Sequence, residues 1–201
     1  MRILVIGATG LLGAPVARAL EVNHEVLKAS LNGSALRVDF ADPGSIRNLF
    51  TSVGQVDAVV SVAGQTASRP LSALSDADFE LGLKNKLMGQ INLVRLGMES
   101  LKDGGSFTLT SGLVSRWPAP GAVAVSVVNA GVEAFARAAA LELPRGLRIN
   151  AVAPGWVRET LLALKMDPAP GVPAVEVAQS YVKAVEGQMT GQTFDVVKAS
   201  S

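Results

Sequence analysis

Gly7-Ala8-Thr9-Gly10-Leu11-Leu12-Gly13 is the stretch of this chain whose residue types and spacing most directly allow chemistry. Three glycines spaced three apart, directly after an apolar run, can cradle a diphosphate. Gly7 permits a tight turn, Gly10 lets backbone approach an anion with no β-carbon in the way, and Gly13 lets the following helix pack closely. The amides around Thr9, Leu11 and Leu12 would then face the anion, aided by the helix dipole. The alternative is a purely structural turn. Other reactive side chains are scarce. There is no cysteine, which excludes a disulfide framework, a thiolate zinc site and a cysteine nucleophile. The one histidine, His24, falls between the first helix and second strand and reads as a surface residue. The one tyrosine, Tyr181, lies on the last helix and reads as core or interface.

The elements that must position such a loop alternate along the chain. Ile3–Ile6, 25–29, 36–38, 57–62, 106–110, 147–152 and 192–196 read as strands. Helices are expected over 11–20, 44–50, 75–98, 122–143 and 175–186. Asp42-Pro43 is a cap followed by a first-turn proline, and Ser75 with Asp78 resembles a capping box. Pro144 stops the second long helix. Asp167–Pro173 holds three prolines and is either a short loop near the ligand side or a plain connector. Strictly alternating strand and helix implies right-handed crossovers and an α/β, Rossmann-type doubly wound parallel sheet of about seven strands with helices on both faces. No repeat or composition shift divides the 201 residues, so residues 1–201 read as one dinucleotide-binding domain.

Composition supports this reading. Hydrophobic residues make up 49% of the chain, as buried strands require. With 18 basic and 17 acidic residues the net charge is +1, so there is no basic field for nucleic acid. The apolar N-terminal run is too short for a signal core or a membrane span. The expectation is a soluble, cytoplasmic protein with neither nucleic-acid nor membrane partners.

Five short motifs, in order, resemble the short-chain dehydrogenase/reductases. They are the glycine loop, Val38-Asp39, Val62-Ala63-Gly64, Thr110-Ser111-Gly112, and Ala153-Pro154-Gly155-Trp156-Val157. The resemblance spans almost the whole chain, through Thr190-Gly191-Gln192. It implies that Asp39 holds the adenine amine and that Val38 touches the ring; a surface cap before Asp42-Pro43 is the other reading of Asp39. It also implies that Ala63 and Gly64 let backbone approach the cofactor ribose, and that Pro154, Gly155 and Val157 contact the nicotinamide end.

The chain departs from the family at the catalytic tetrad of Asn, Ser, Tyr and Lys. Only the serine is present, as Ser111. Val125 stands in the tyrosine place, Asn129 in the lysine place and Lys86 in the asparagine place. Valine has no proton to give. Lys86 is therefore expected either to project into the vacated space and act with Ser111 as proton donor, while Asn129 bonds the ribose hydroxyls, or to be a solvated charge beside Lys84. Cofactor choice rests on the end of the second strand, where no acid stands to repel a 2′-phosphate. Ser30, Asn32 and Ser34 can donate to phosphate there, with Lys28 or Arg37 near. NADP(H) is favoured over NAD(H). The function expected is an NADP(H)-dependent oxidoreductase with an atypical active site, acting on an unidentified carbonyl or alcohol. The alternative is a dinucleotide-binding sensor or regulatory protein without catalysis; a transient-cofactor isomerase or lyase is a weaker third. By family resemblance the two long helices form a homodimer or homotetramer interface.

Overall fold

The computed structural model describes residues 1–198. Seven strands form one parallel sheet: β1 (Arg2–Ile6), β2 (Glu25–Ser30), β3 (Leu36–Arg37), β4 (Val56–Ser61), β5 (Leu101–Thr110), β6 (Arg148–Pro154) and β7 (Thr193–Val196). Their spatial order is β3-β2-β1-β4-β5-β6-β7. The chain starts in the middle, winds outward to β3, then crosses back to β4 and winds the other way. The carboxyl ends of β1 and β4 therefore flank the point where the winding reverses, which is where sheets of this kind bind ligands.

Alternation along the strands explains the layers. Leu4, Ile6, Val59, Phe107, Leu109 and Ile149 face one side and pack against α2 (Pro43–Val53), α4 (Met88–Gly97) and α5 (Val123–Ala139). Ile3, Val5, Ala58, Val60 and Val152 face the other, against α1 (Gly13–Glu21) and α7 (Ala174–Glu186). Two shorter helices, α3 (Asp76–Gly82) and α6 (Arg158–Ala163), complete the set. α2 has its expected Asp42 cap and first-turn proline, and α3 its Ser75–Asp78 capping box.

Three expectations need correction, and one open alternative is narrowed. The helix expected over 75–98 is not continuous: a π-helical turn, Leu83–Leu87, separates α3 from α4, and a 3₁₀ turn follows α4. A π turn holds an extra residue and re-aims the side chains within it, which a 3.6-residue pattern cannot reveal. The second long helix ends at Ala139, before Pro144. The segment before the proline-rich loop forms α6, and Val172 pairs with Val157 in an isolated parallel bridge, so the loop is tied back to the end of β6. His24 is not a free surface residue: its side chain is 10% exposed, and Nε2 lies 2.9 Å from Glu186 Oε1, joining the ends of α1 and α7. Tyr181 is fully buried as core, its hydroxyl 2.6 Å from Thr110 Oγ1. Burial pushes its pKa up despite that hydrogen bond, so it is not available as a proton donor near neutrality.

Candidate dinucleotide and active site

The glycine loop turns sharply at Gly7, whose φ of +83° suits glycine. A β-carbon on Gly13 would lie 1.8 Å from the Gly7 carbonyl oxygen, so the first turn of α1 rests directly on the loop. At Gly10 the nearest atom to such a carbon is that same oxygen, at 3.3 Å, and otherwise the space above the loop is open. The N-cap of α1, Leu12, makes no side-chain cap bond, and the first turn holds no acid. Ala14 N is taken by Gly10 O at 3.0 Å and Pro15 has no N–H, so the amides of Leu11, Leu12 and Gly13 are the ones left for an anion. These features, an uncapped helix start and an open cradle, fit a dinucleotide diphosphate.

Beside the loop, Gly7, Leu31, Val38, Asp39, Ala63 and Gly64 are among the residues lining a cavity of about 90 Å³. Asp39 thus borders the cavity, while its Oδ1 also accepts from Ala41 N at 2.9 Å. An open trough of about 580 Å³ continues outward from Asp39 along β3 and α2, with Arg37 on its wall and no residue of β4–β6 in its lining. Ser30 behaves otherwise than expected. It is 4% exposed; its hydroxyl donates to Ala29 O at 2.8 Å and accepts from Thr9 N at 3.2 Å. It braces the glycine loop against β2 and has no proton left for a phosphate. Thr9 Oγ1 likewise donates to Asn32 O, at 3.2 Å. The Ser34 hydroxyl donates to Lys28 O, and Lys28 Nζ pairs with Glu21 at 2.6 Å, so neither is free. Asn32 and Arg37 remain exposed.

At the other end of the site the π turn divides three neighbouring polar residues. Lys84 points outward to Glu80 at 3.0 Å, and Asn85 accepts from Gln65 N at 2.7 Å. Lys86 turns inward, half-buried, with Nζ 3.4 Å from the Ser111 carbonyl oxygen at the end of β5. Its stem passes over Gly64, where a β-carbon would lie 2.6 Å from Lys86 Cγ. Desolvation lowers its pKa to about 8. Gln90 locks this arrangement: fully buried, it receives Thr110 N (2.7 Å) and donates to the carbonyls of Thr110 (3.0 Å) and Lys86 (3.1 Å).

Asn129 is 1% exposed on α5, and its Oδ1 is buried without a partner in the protein. An orphaned buried amide oxygen calls for a donor, and a ribose hydroxyl would supply one. Val125, one turn earlier, is partly buried. Pro154 ends β6; Gly155 N then donates to Val196 O (2.9 Å), Val172 N donates to Trp156 O (2.8 Å), and Val157 leads into α6.

Ser111 departs from the expected role. Its hydroxyl donates inward to Glu133 Oε1 at 2.6 Å, not outward with Lys86. Sequence reasoning missed Glu133 and Gln90. The signal for Glu133 was present: it is the sole acid in the apolar sequence of α5, four residues after Asn129.

The chain matches the family model described as Enoyl-(Acyl carrier protein) reductase over residues 9–192. It is 27% identical to Escherichia coli 3-oxoacyl-(acyl-carrier-protein) reductase FabG over 82% of this chain and 76% of that protein. It is also 27% identical to Glucose and ribitol dehydrogenase homolog 2 of Arabidopsis thaliana, over 58% of this chain; that match spans only 41% of the plant protein. Among solved structures, the protein lin1944 from Listeria innocua superposes with a TM-score of 0.94 at 40% identity, covering 98% of this chain and 99% of that one. A small-chain dehydrogenase in complex with NADPH superposes at 0.85 with 27% identity, covering 98% and 96%. Among the described residues no helix is long and apolar enough to cross a membrane, and no cluster of three His, Cys, Asp or Glu could hold a metal ion. With its order of strands, its glycine loop and a family match over nearly its whole length, the chain belongs to the short-chain dehydrogenase/reductase family of oxidoreductases.

Proposed function

We propose that the protein is an NADP(H)-dependent carbonyl/alcohol oxidoreductase in which Lys86 does the work of the missing tyrosine. The observation that carries this reading is Lys86 itself: a desolvated ammonium with a pKa of about 8, aimed at the end of β5. A group with a pKa near ambient pH can both give and take a proton. Asn129 would bind the nicotinamide ribose through its unpartnered oxygen, and the loop from Gly7 through Gly10 to Gly13, with the amides of Leu11 and Leu12, would hold the diphosphate; the Thr9 amide donates to Ser30 Oγ instead. Asp39 would face adenine, with Ala63 and Gly64 beneath the ribose and Pro154, Gly155 and Val157 against the nicotinamide. The nicotinamide, when bound, supplies or accepts the hydride. The test is a cofactor-oxidation screen over aldehydes, ketones and 3-oxoacyl thioesters, the last prompted by the FabG relative. Turnover above background is expected, and its absence across the panel would leave a dinucleotide binder.

NADP(H) preference rests on the lack of an acid after β2 and on exposed Asn32 and Arg37 near the adenosine end, and the NADPH complex of a relative agrees. Ser30 is too buried to serve as the test position. Leu31, 42% exposed on the cavity wall, is the place to introduce charge. Leu31→Asp should shrink the ratio of NADPH to NADH affinity by about tenfold or more, through like-charge repulsion of the 2′-phosphate. Calorimetric titration reads both affinities. Equal affinities in the parent would remove the argument.

The same reading includes a homodimer or homotetramer through α4 and α5. A groove of about 330 Å³ between them is lined by Val94, Met98, Phe135, Ala138 and Leu143, with Arg95 and Glu142 at the sides. Ala138 is exposed. Ala138→Glu should place a charge in that interface and shift sedimentation from oligomer to monomer while the thermal midpoint of the monomer fold holds. A monomeric parent at micromolar concentration would count against the interface.

A further inference from the structure

The acid behind Ser111 has no part in the proposal above. Glu133 is 3% exposed on α5, one helical turn beyond Asn129. Its Oε1 accepts from Ser111 Oγ at 2.6 Å and from Ser115 Oγ at 2.7 Å, and its Oε2 faces Arg116 Nε at 3.3 Å. Arg116 also forks onto Asp195 of β7, with Nη1 3.0 Å from Oδ2, and that pairing raises the pKa of the guanidinium further. Of the other charged groups nearby, Lys86 reaches only the Ser111 carbonyl, and Arg137, one turn further along α5, is exposed.

A carboxylate only accepts hydrogen bonds, so a serine hydroxyl at 2.6 Å must direct its single proton there. The Asn129 carbonyl, 3.2 Å from Ser111 Oγ, is the weaker competitor. Lone pairs are then all that Ser111 has left for a ligand. We infer that Glu133 is the positioning residue of this site: it holds the Ser111 proton inward, so that the Ser111 oxygen accepts from a substrate hydroxyl and does not donate to a substrate carbonyl. This rests on the oxidoreductase reading, with Lys86 donating to the substrate oxygen. An alcohol is then held at two points, its O–H by Ser111 and its lone pair by Lys86. The corresponding carbonyl compound is held at one. The site grips the alcohol form better by the worth of one hydrogen bond, about three- to tenfold.

Glu133→Gln reverses the arrangement. Arg116 can only donate, so the new amide turns its oxygen to Arg116 and its N–H groups to Ser111 and Ser115. The Ser111 proton is then free to turn outward. The probe pair is the fastest carbonyl compound of the panel and the alcohol it yields, each titrated in the presence of the dinucleotide redox form that cannot react with it. The expected result is a preference for the alcohol in the parent that falls three- to tenfold in Glu133→Gln and disappears in Ser111→Ala. A readout independent of turnover is the low-field resonance assigned to the Ser111 hydroxyl proton in the ligand-free protein, distinct from that of Ser115, present in the parent and lost in both variants. An unchanged ratio in folded Glu133→Gln, or no such resonance in the parent, overturns the inference. Should Glu133→Gln not fold, Ser111→Ala decides by the same two readouts. No turnover by the parent anywhere in the panel instead overturns the oxidoreductase reading, and the inference with it.

Discussion

Lys86→Met lowers turnover by roughly 10²–10⁴-fold, the usual worth of a positioned proton donor, and leaves dinucleotide affinity little changed. The methionine preserves the length of the stem that passes over Gly64 but has no proton to transfer. The parent's pH profile carries the same signature. Carbonyl reduction needs the ammonium, so its rate holds below pH 8 and falls as pH rises through the Lys86 pKa of about 8. Alcohol oxidation needs the free amine and rises over the same interval. Both limbs vanish in Lys86→Met. Full activity in that variant would show that the proton comes from another group.

Stability moves the opposite way, which separates a functional lysine from a structural one. The folded-state pKa of Lys86 is depressed from 10.5 to about 8, so the folded protein releases this proton first. The cost of holding the ammonium half-buried is fully present below pH 8. It fades between pH 8 and 10.5 and is gone above. At neutral pH, Lys86→Met therefore raises the thermal midpoint while it removes activity. A lysine kept for stability would lower both. Destabilised active sites of this kind are the usual cost of function.

The sheet was readable in advance because its signal is repeated and local: apolar runs of strand length, glycine or a small residue at their ends, and helical spacing between. The glycine loop was readable for the same reason, since one heptapeptide both forms the turn and opens the helix. Lys86 was located by its place in the family pattern, yet whether it faced solvent or the site depended on the π turn. That turn leaves no mark in a 3.6-residue period. Ser30 stands at a strand end where a donor to phosphate is expected; its burial comes from the glycine loop folding back over it, with Thr9 lying 21 residues earlier in the chain. Glu133 was missed because a single acid on an apolar helix looks like a surface position. Only the approach of Ser111, Ser115 and Arg116, all from the turn after β5, makes it a buried carboxylate. What the sequence hides in each case is a contact between residues distant in the chain that decides where a polar group points.

Gly10→Val weakens dinucleotide binding about a hundredfold or more without unfolding the protein. Gly10 has no positive φ, and a β-carbon there meets only the Gly7 carbonyl oxygen at 3.3 Å, so the backbone tolerates a side chain with a shift of a few tenths of an ångström. The valine methyls then occupy the open space above the uncapped start of α1, where the diphosphate is expected to lie. Losing two charge-assisted contacts to backbone N–H groups costs about 3 kcal/mol or more, which is about a hundredfold in affinity. Gly13→Ala provides the contrast. Its β-carbon would stand 1.8 Å from the Gly7 oxygen and 2.7 Å from the Gly7 carbonyl carbon, both backbone atoms, so α1 must move off the loop. That variant should lose stability as well as binding. Calorimetric titration with NADPH, together with thermal melts of the two variants, separates the cases. An intact melt with lost binding in Gly10→Val assigns the loop to phosphate. Unchanged affinity in that variant would mean that the loop serves only to join β1 to α1 and that the dinucleotide lies elsewhere.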